Sequence, residues 1–245
     1  MKVILLAGGY ATRLWPLTKD TPKALLEVGE KCILEHVLHI IEHIKSAKQV
    51  YLTTNQKFEP NFRAFLRKWK GAKKVELIVE KSTSNDEKYG AVGALLKMQE
   101  DGLLEDSALI LAADNVFDSH FADMLNAIIE KGEDALILYD VEKGEAAKLY
   151  GVCETNSDGY VVDFEEKPKQ PRGTLVSTGC YFLRRETLDM LAEYERLGGG
   201  TDRIGDFIKW LVYRGKVRGY VYSGRWFDIG THEHLDRARK AHGKK

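Results

Sequence analysis

The chain has 245 residues, 44% of them hydrophobic, which suffices to bury a sizeable core and excludes a disordered chain. Lysine plus arginine and aspartate plus glutamate each number 37, so no basic excess points to nucleic acid, and any anion binding must be local. Cys32, Cys153 and Cys180 lack CxxC spacing and read as reduced core thiols, and no apolar run approaches the ~18 residues of a membrane span. The expectation is a soluble cytoplasmic protein with neither nucleic-acid nor membrane partners.

In chain order, KVILLA (2–7) reads as a strand, and ILEHVLHIIEHIK (33–45) places apolar residues three and four apart, as an amphipathic helix does. The alternation repeats: strand QVYLTTN (49–55), helix FEPNFRAFLRKWK (58–70), strand KVELIVE (74–80), helix AVGALLKMQEDGLL (91–104), strand ALILAADN (108–115), helix FADMLNAIIEKG (121–132), strand ALILYDV (135–141). Short apolar strands separated by helices argue for a mostly parallel sheet flanked by helices. From about residue 150 the rhythm changes to a hairpin turning at 156–159, a strand at 175–185, a helix at about 186–196, the loop GGGTDR, a helix to about 214 and a strand at 217–222.

Between the first strand and the first helix lies GGYATRLWPLTKDTPK (8–23). It leaves the carboxyl end of a strand, where an α/β sheet takes its ligand. Glycines admit backbone N–H groups to an anion, and Arg13 and Lys23 add cationic donors for phosphate oxygens. Neither GxGxxG nor GxxxxGK[ST] is present, so this is neither a dinucleotide fingerprint nor a Walker loop. Pro16 and Pro22 shape an extended loop suited to fold over a nucleotide. Taken alone, the run is equally compatible with a glycine turn beside two solvated charges.

Residues 8–29 resemble the signature GGxGTRLxPxTxxxPKxLxPV of the sugar-phosphate nucleotidyltransferases, departing from it at Ala11, where the family has glycine, and at Glu27, where it has proline. Three further segments match in order: LAADNVF (111–117) resembles LGDNIF with Ala113 for glycine, YGV…EEKP (150–168) and the following STG (177–179) resemble the family's YGV…EEKP and VTG, and GRWFDIGTHEHL (224–235) resembles GYWxDxGTxxxL. Singly these segments have plainer readings. Asp114 fits an Asx turn capping a helix near Ser119, residues 165–167 a charged strand end, and Asp228 a turn before a Thr231 N-cap. His232 and His234, two apart on a helix, point to different sides and do not read as a metal site.

The resemblance implies an α/β, Rossmann-like, mostly parallel sheet flanked by helices, of the nucleotide-diphospho-sugar transferase type, forming one domain over 1–245. Its nucleotide-binding part would run to about 149, with a mixed α+β sugar-binding part over about 150–245. The implied reaction is nucleotidyl transfer from an NTP, dTTP or UTP by preference, to a hexose 1-phosphate such as glucose 1-phosphate. By the same resemblance Arg13 and Lys23 are catalytic, and Leu6, Ala7, Gly8, Gly9, Ala11, Thr12, Arg13, Gly90 and Asp114 hold the nucleotide. Asn115, Gly151, Glu166, Lys167, Ser177 and Thr178 hold the sugar phosphate, Asp114 and Asp228 bind Mg²⁺, and the protein forms a homodimer or homotetramer. The base would lie against the first glycines and the loop 80–94, where Ser82 to Asn85 offer donors and acceptors. Two alternatives stay open: a noncatalytic nucleotide or sugar-phosphate sensor on this fold, and a cytidylyl- or guanylyltransferase of the same family.

Overall fold

In the computed structural model the described residues are 1–84 and 87–243; Asn85, one of the expected base-loop groups, lies outside them. The elements in chain order are β1 Lys2–Leu6, β2 Glu27–Val28, β3 Lys31–Cys32, α1 Ile33–Glu42, β4 Gln49–Asn55, α2 Glu59–Lys68, β5 Val75–Glu80, α3 Gly90–Glu100, β6 Ala108–Ala112, β7 Asn115–Phe117 and α4 Phe121–Lys131. They continue with β8 Ala135–Asp140, α5 Gly144–Ala147, β9 Gly151–Thr155, β10 Val161–Glu166, β11 Leu175–Leu183, α6 Arg185–Asp189, α7 Leu191–Arg196, α8 Ile204–Val212, β12 Arg218–Val221, β13 Trp226–Asp228 and α9 His232–His242. Contacts gather them into two compact units of non-consecutive pieces, 1–88 with 111–126 and 224–245, and 89–110 with 127–223. The division expected near residue 149 follows the chain, whereas the contacts place 224–245 with the first segments and 135–140 with the later ones.

In the first unit β1, β4 and β5 run parallel in that order, with Leu6 beside Thr53 and Asn55 beside Glu80. Val3, Ile4, Leu5, Val50 and Leu52 are fully buried, as a sheet covered on both faces requires. The apolar stripe of α1 is Ile33, Leu34, Val37, Leu38 and Ile41, and Glu35 in its first turn accepts the Cys32 N–H at 2.7 Å. The strand expected over 108–115 stops at Ala112. There the Ala113 N–H donates to Leu6 and the Asp114 carbonyl accepts from Ile229, so the chain changes partner and resumes as β7, antiparallel to β13.

In the second unit β9 and β10 form the expected hairpin, its turn held by Asn156 Oδ1 accepting the N–H groups of Asp158 and Tyr160. The strand at 135–140 departs from the expected parallel run. It lies antiparallel to β11 and parallel to β12, because its neighbour is reached by return of the chain rather than by a helical crossover. The helix expected over 186–196 is two short helices meeting at Met190.

The glycine-rich loop after α7 has a defined task in the second unit. At the start of α3 the N–H of Ala91 donates to the Asp202 carbonyl, and those of Val92 and Gly93 to the Thr201 carbonyl, at 2.9, 3.0 and 3.1 Å. Three donors that a helix N-terminus ordinarily leaves unpaired are thereby satisfied by backbone. The approach is close because Gly90, at φ 77°, has no side chain: a Cβ there would stand 2.3 Å from Asp202 Cα. Gly90→Ala is therefore expected to cost about 2 kcal/mol, seen as a fall of roughly 4–8 °C in thermal unfolding midpoint; an unchanged midpoint would show that the 201–202 loop does not hold this position.

Candidate active site

In the first unit, one buried apolar cluster carries Arg13, Lys23, Asp114 and Asp228 of the predicted site. Leu14, Leu26, Val28, Ile33, Val116, Ile229, Leu235 and Ala238 pack together, with Phe227 against them. Arg13 adjoins Leu14, Asp228 adjoins Ile229, and Lys23 and Asp114 lie within one turn or strand step of Leu26 and Val116. Burying the apolar residues thus sets the starting points of the polar ones.

The loop after β1 is closed on itself. The Thr18 hydroxyl donates to the Ala11 carbonyl at 2.7 Å, and the N–H of Leu14 donates to the same oxygen at 3.0 Å. Ala11 adopts φ 47° and ψ 43°, the left-handed conformation that a glycine takes freely. Alanine holds this conformation at a backbone cost of about 1–2 kcal/mol. Next to Ala11, Thr12 begins the short 3-10 turn Thr12–Leu14 and Arg13 is exposed in its middle. Leu6 ends β1, and Ala7 continues the pairing by donating its N–H to Thr53.

Lys23 donates to Asp114 Oδ2, and the two side chains are 18% and 26% exposed, so a half-buried ion pair occupies the predicted catalytic and metal positions. Asn115 Nδ2 donates to Asp114 Oδ1 at 2.9 Å, while its own Oδ1 accepts the Trp226 indole N–H at 2.7 Å. The indole thereby orients the amide and the amide orients the carboxylate. Asp228 stands opposite Asn115 in the β7–β13 pairing, and the N–H of Ile229 donates to the Asp114 carbonyl at 3.0 Å. The two expected metal carboxylates, far apart in sequence, are thus at one end of the β7–β13 ribbon, Asp228 in β13 and Asp114 in the turn that leads into β7. Asp114 makes no helix cap; the turn before α4 is built on Asp118, whose Oδ1 accepts the His120 N–H. Thr231 caps α9 as expected, accepting the His234 N–H at 3.3 Å.

At the carboxyl ends of β1, β4 and β5 the same unit gathers polar groups. Asn55 Nδ2 donates to the Gly8 carbonyl at 2.9 Å, and the Ser82 hydroxyl donates to Glu80 Oε1 at 2.6 Å. The Glu80 carboxylate lies against Gly8, 3.7–3.9 Å from where a Cβ would stand, with Gly9 beyond it and open around its Cα. Asn55, Trp226 and His234 were not among the residues expected at the site, and Glu80 entered only as the first residue of the expected base loop 80–94. Trp226 sits inside a recognised motif, but the register that places Glu80 beside Asn55 at the glycine loop exists only between folded strands.

Burial pushes the His234 imidazole below its usual pKa, as do the Arg237 and Arg13 charges, while the Asp228 carbonyl opposes the shift.

In the second unit Gly151 pairs with Glu166 across β9 and β10, and the Lys167 N–H donates to the Tyr150 carbonyl. The Glu166 carboxylate lies over Gly205 in the first turn of α8, with Lys167 Nζ at 3.6 Å from Oε1. Burial above all raises the Glu166 pKa, helped by the Asp206 charge; Lys167 and Arg203 pull it down. Beside Gly151, β11 bulges at Ser177, Thr178 and Gly179. Ser177 donates to the Tyr181 hydroxyl at 3.1 Å, and the buried Thr178 hydroxyl donates to the Ile137 carbonyl at 2.9 Å, leaving the bulged backbone as what Thr178 offers a ligand. The expected sugar-phosphate residues other than Asn115 are thus together in this unit, and the expected nucleotide residues other than Gly90 are in the first.

A family model described as nucleotidyl transferase matches residues 2–245. The chain is similar to a UTP–glucose-1-phosphate uridylyltransferase, AglF, of Haloferax volcanii, with 30% identity over 98% of this chain and 96% of that protein. It is 28% identical to the bifunctional protein GlmU of Methanococcus maripaludis over 94% of this chain, spanning about half, 51%, of that longer protein. Among solved structures, one from Bacillus anthracis, provisionally described as a glucose-1-phosphate thymidylyltransferase in complex with a sucrose, superposes with a TM-score of 0.85 at 25% identity, covering 100% of this chain and 96% of that one.

The raised pKa of Glu166 fixes the sign of its effect on stability. A carboxyl that holds its proton more tightly when folded is destabilising once charged, and the cost grows as pH rises from the unfolded value of about 4.3 up through the folded pKa. Glu166→Gln is expected to raise the thermal midpoint at pH 7, with the gain shrinking below pH ~4. A lower midpoint at pH 7 would mean that Lys167 stabilises the charged form more than burial opposes it.

Proposed function

The chain belongs to the nucleotidyl transferase family and its activity is nucleotidyl transfer to a sugar 1-phosphate; within that activity we propose that dTTP or UTP is the donor and glucose 1-phosphate the acceptor. The products are the NDP-sugar and pyrophosphate. The observation that carries the reading is the gathering of Arg13, Lys23, Asp114 and Asp228 around one glycine loop at the carboxyl end of β1.

The acceptor phosphate oxygen attacks the α-phosphorus in line, so no covalent nucleophile is required and the protein works by positioning and by cancelling charge. Arg13 neutralises the triphosphate and the departing pyrophosphate. Lys23, released from Asp114, draws the donor and acceptor phosphates together. Glu166 accepts hydroxyls of the sugar and Lys167 meets its phosphate, with Gly151 and the bulged backbone of Ser177 and Thr178 bordering the ring. Asp114 and Asp228 fit Mg²⁺, which takes one or two carboxylates and completes its shell with water and substrate phosphates. When bound, Mg²⁺ supplies charge neutralisation at the phosphate oxygens.

Glu80, close to Gly8 in the glycine loop, is the proposed reader of the base. A carboxylate only accepts hydrogen bonds, so it suits the ring N–H of uracil, thymine or guanine and disfavours cytosine and adenine, whose corresponding ring nitrogen is an acceptor.

Pyrophosphate release measured over four NTPs and several sugar 1-phosphates with Mg²⁺ should show turnover, highest with UTP or dTTP and glucose 1-phosphate; no release in any combination overturns the reading. Lys23→Ala is expected to lower kcat about a hundredfold, and a loss below threefold would remove Lys23 from the chemistry. Glu80→Gln keeps an acceptor and adds a donor, so CTP should gain about tenfold relative to UTP. An unchanged ranking of nucleotides would show that Glu80 does not read the base.

A further inference from the structure

His234 follows the Thr231 cap and occupies the third helical position of α9, from which a side chain leans back over the preceding turn. Its Nδ1 is buried and has no hydrogen-bond partner. With the ring proton on Nε2 this nitrogen is an acceptor, and a buried ring nitrogen left unpaired is costly and calls for an explanation. The nearby Gly230 supplies one. A Cβ at Gly230 would stand 3.1 Å from Asp228 Oδ2, 3.6 Å from His234 Nδ1 and 3.9 Å from Arg13 Nη2, so a carboxylate, an imidazole and a guanidinium border one small space that any side chain would fill.

We propose that His234 is the positioning residue for Arg13: its Nδ1 accepts a hydrogen bond from the guanidinium when Asp228 is engaged elsewhere, holding Arg13 on the triphosphate. The choice of residue has a physical reason. A second carboxylate would hold Arg13 equally well but would cancel the charge that the phosphates need, whereas an imidazole lone pair orients the guanidinium without neutralising it. A carboxylate that holds a cation has less to offer Arg13, and His234 then takes the guanidinium. The small space left by Gly230 allows that exchange. The proposal rests on the reading that Arg13 meets the triphosphate.

The test is a double-mutant cycle of Arg13→Ala and His234→Phe, read as kcat and KM for NTP and for sugar 1-phosphate, with His234→Asn as the conservative variant and Gly230→Ala to fill the space. His234→Phe and Gly230→Ala should each lower kcat/KM for NTP about tenfold without changing KM for the sugar phosphate. His234→Asn, whose amide oxygen can replace Nδ1, should recover to within about threefold of wild type, and His234→Phe should have no further effect once Arg13 is alanine. Wild-type kinetics in folded His234→Phe, failure of asparagine to rescue, or equal losses with and without Arg13 would overturn the proposal; the last is what a purely structural histidine gives. If His234→Phe does not fold, Gly230→Ala in the two Arg13 backgrounds decides in the same way. If the wild type turns over no substrate pair, the proposed reaction fails separately. The cycle is then read from calorimetric binding of magnesium pyrophosphate: a His234 effect that needs Arg13 upholds the positioning role, and additive effects overturn it.

Discussion

The first unit depends on one apolar cluster. Leu14 and Leu26 come from the glycine loop, Val28 from β2, Ile33 from α1, Val116 from β7, and Ile229, Leu235 and Ala238 from the segment that begins at β13. The loop, the β7 segment and the segment that begins at β13 each bring charged residues that would gain little by approaching their counterparts in water. Burial of apolar area, worth roughly 25 cal/mol per Å², provides the driving force that the ionic groups lack. The polar site is in this sense a by-product of hydrophobic packing: the cluster closes and Arg13, Lys23, Asp114, Asp228 and His234 are left around its edge.

Electrostatics then sets how the site rests. Lys23 and Asp114 neutralise one another, so neither is a bare charge in a half-buried setting, and the pair can open when stronger partners arrive. The chain from Trp226 through Asn115 to Asp114 orients the carboxylate from its other side. A neutral indole and a neutral amide add direction without adding charge, and the imidazole of His234 fits the same pattern beside Arg13. A site for a polyanion and a cation gains from such supports, because its own charges remain available to the ligand.

The same economy appears in the second unit. Glu166 is buried enough for its pKa to rise, which works against stability while keeping a desolvated acceptor beside Lys167. Strained or costly groups of this kind are tolerated where surrounding structure holds them, and Ala11 in its left-handed conformation is a second example, fixed by Thr18. At α3, by contrast, backbone carbonyls from 201–202 satisfy the helix start, so the glycines of that loop and Gly90 serve packing as much as any ligand.

Much was legible in the residues alone. The helices and the longer strands of the first 140 residues follow from apolar periodicity, with ends displaced by a few residues, whereas the short strands β2, β3 and β7 do not. The glycine loop, its two cations and the Thr231 cap carry local signals that need no tertiary contact. Periodicity does not report strand direction, which depends on the neighbour, so the antiparallel pairing of 135–140 with 175–183 was invisible to it. Nor does it report partner changes such as the break at Ala113 and Asp114, where one strand hands the chain to another. Sequence by itself determined the residue types of the site and their order, because side-chain chemistry and local backbone preference are written position by position. Only tertiary structure decided which of them meet: Asp228 opposite Asn115, Glu80 against Gly8 and His234 over the space at Gly230 come from strand register and helix placement, and those are set by the burial of a core whose members are scattered along the whole chain.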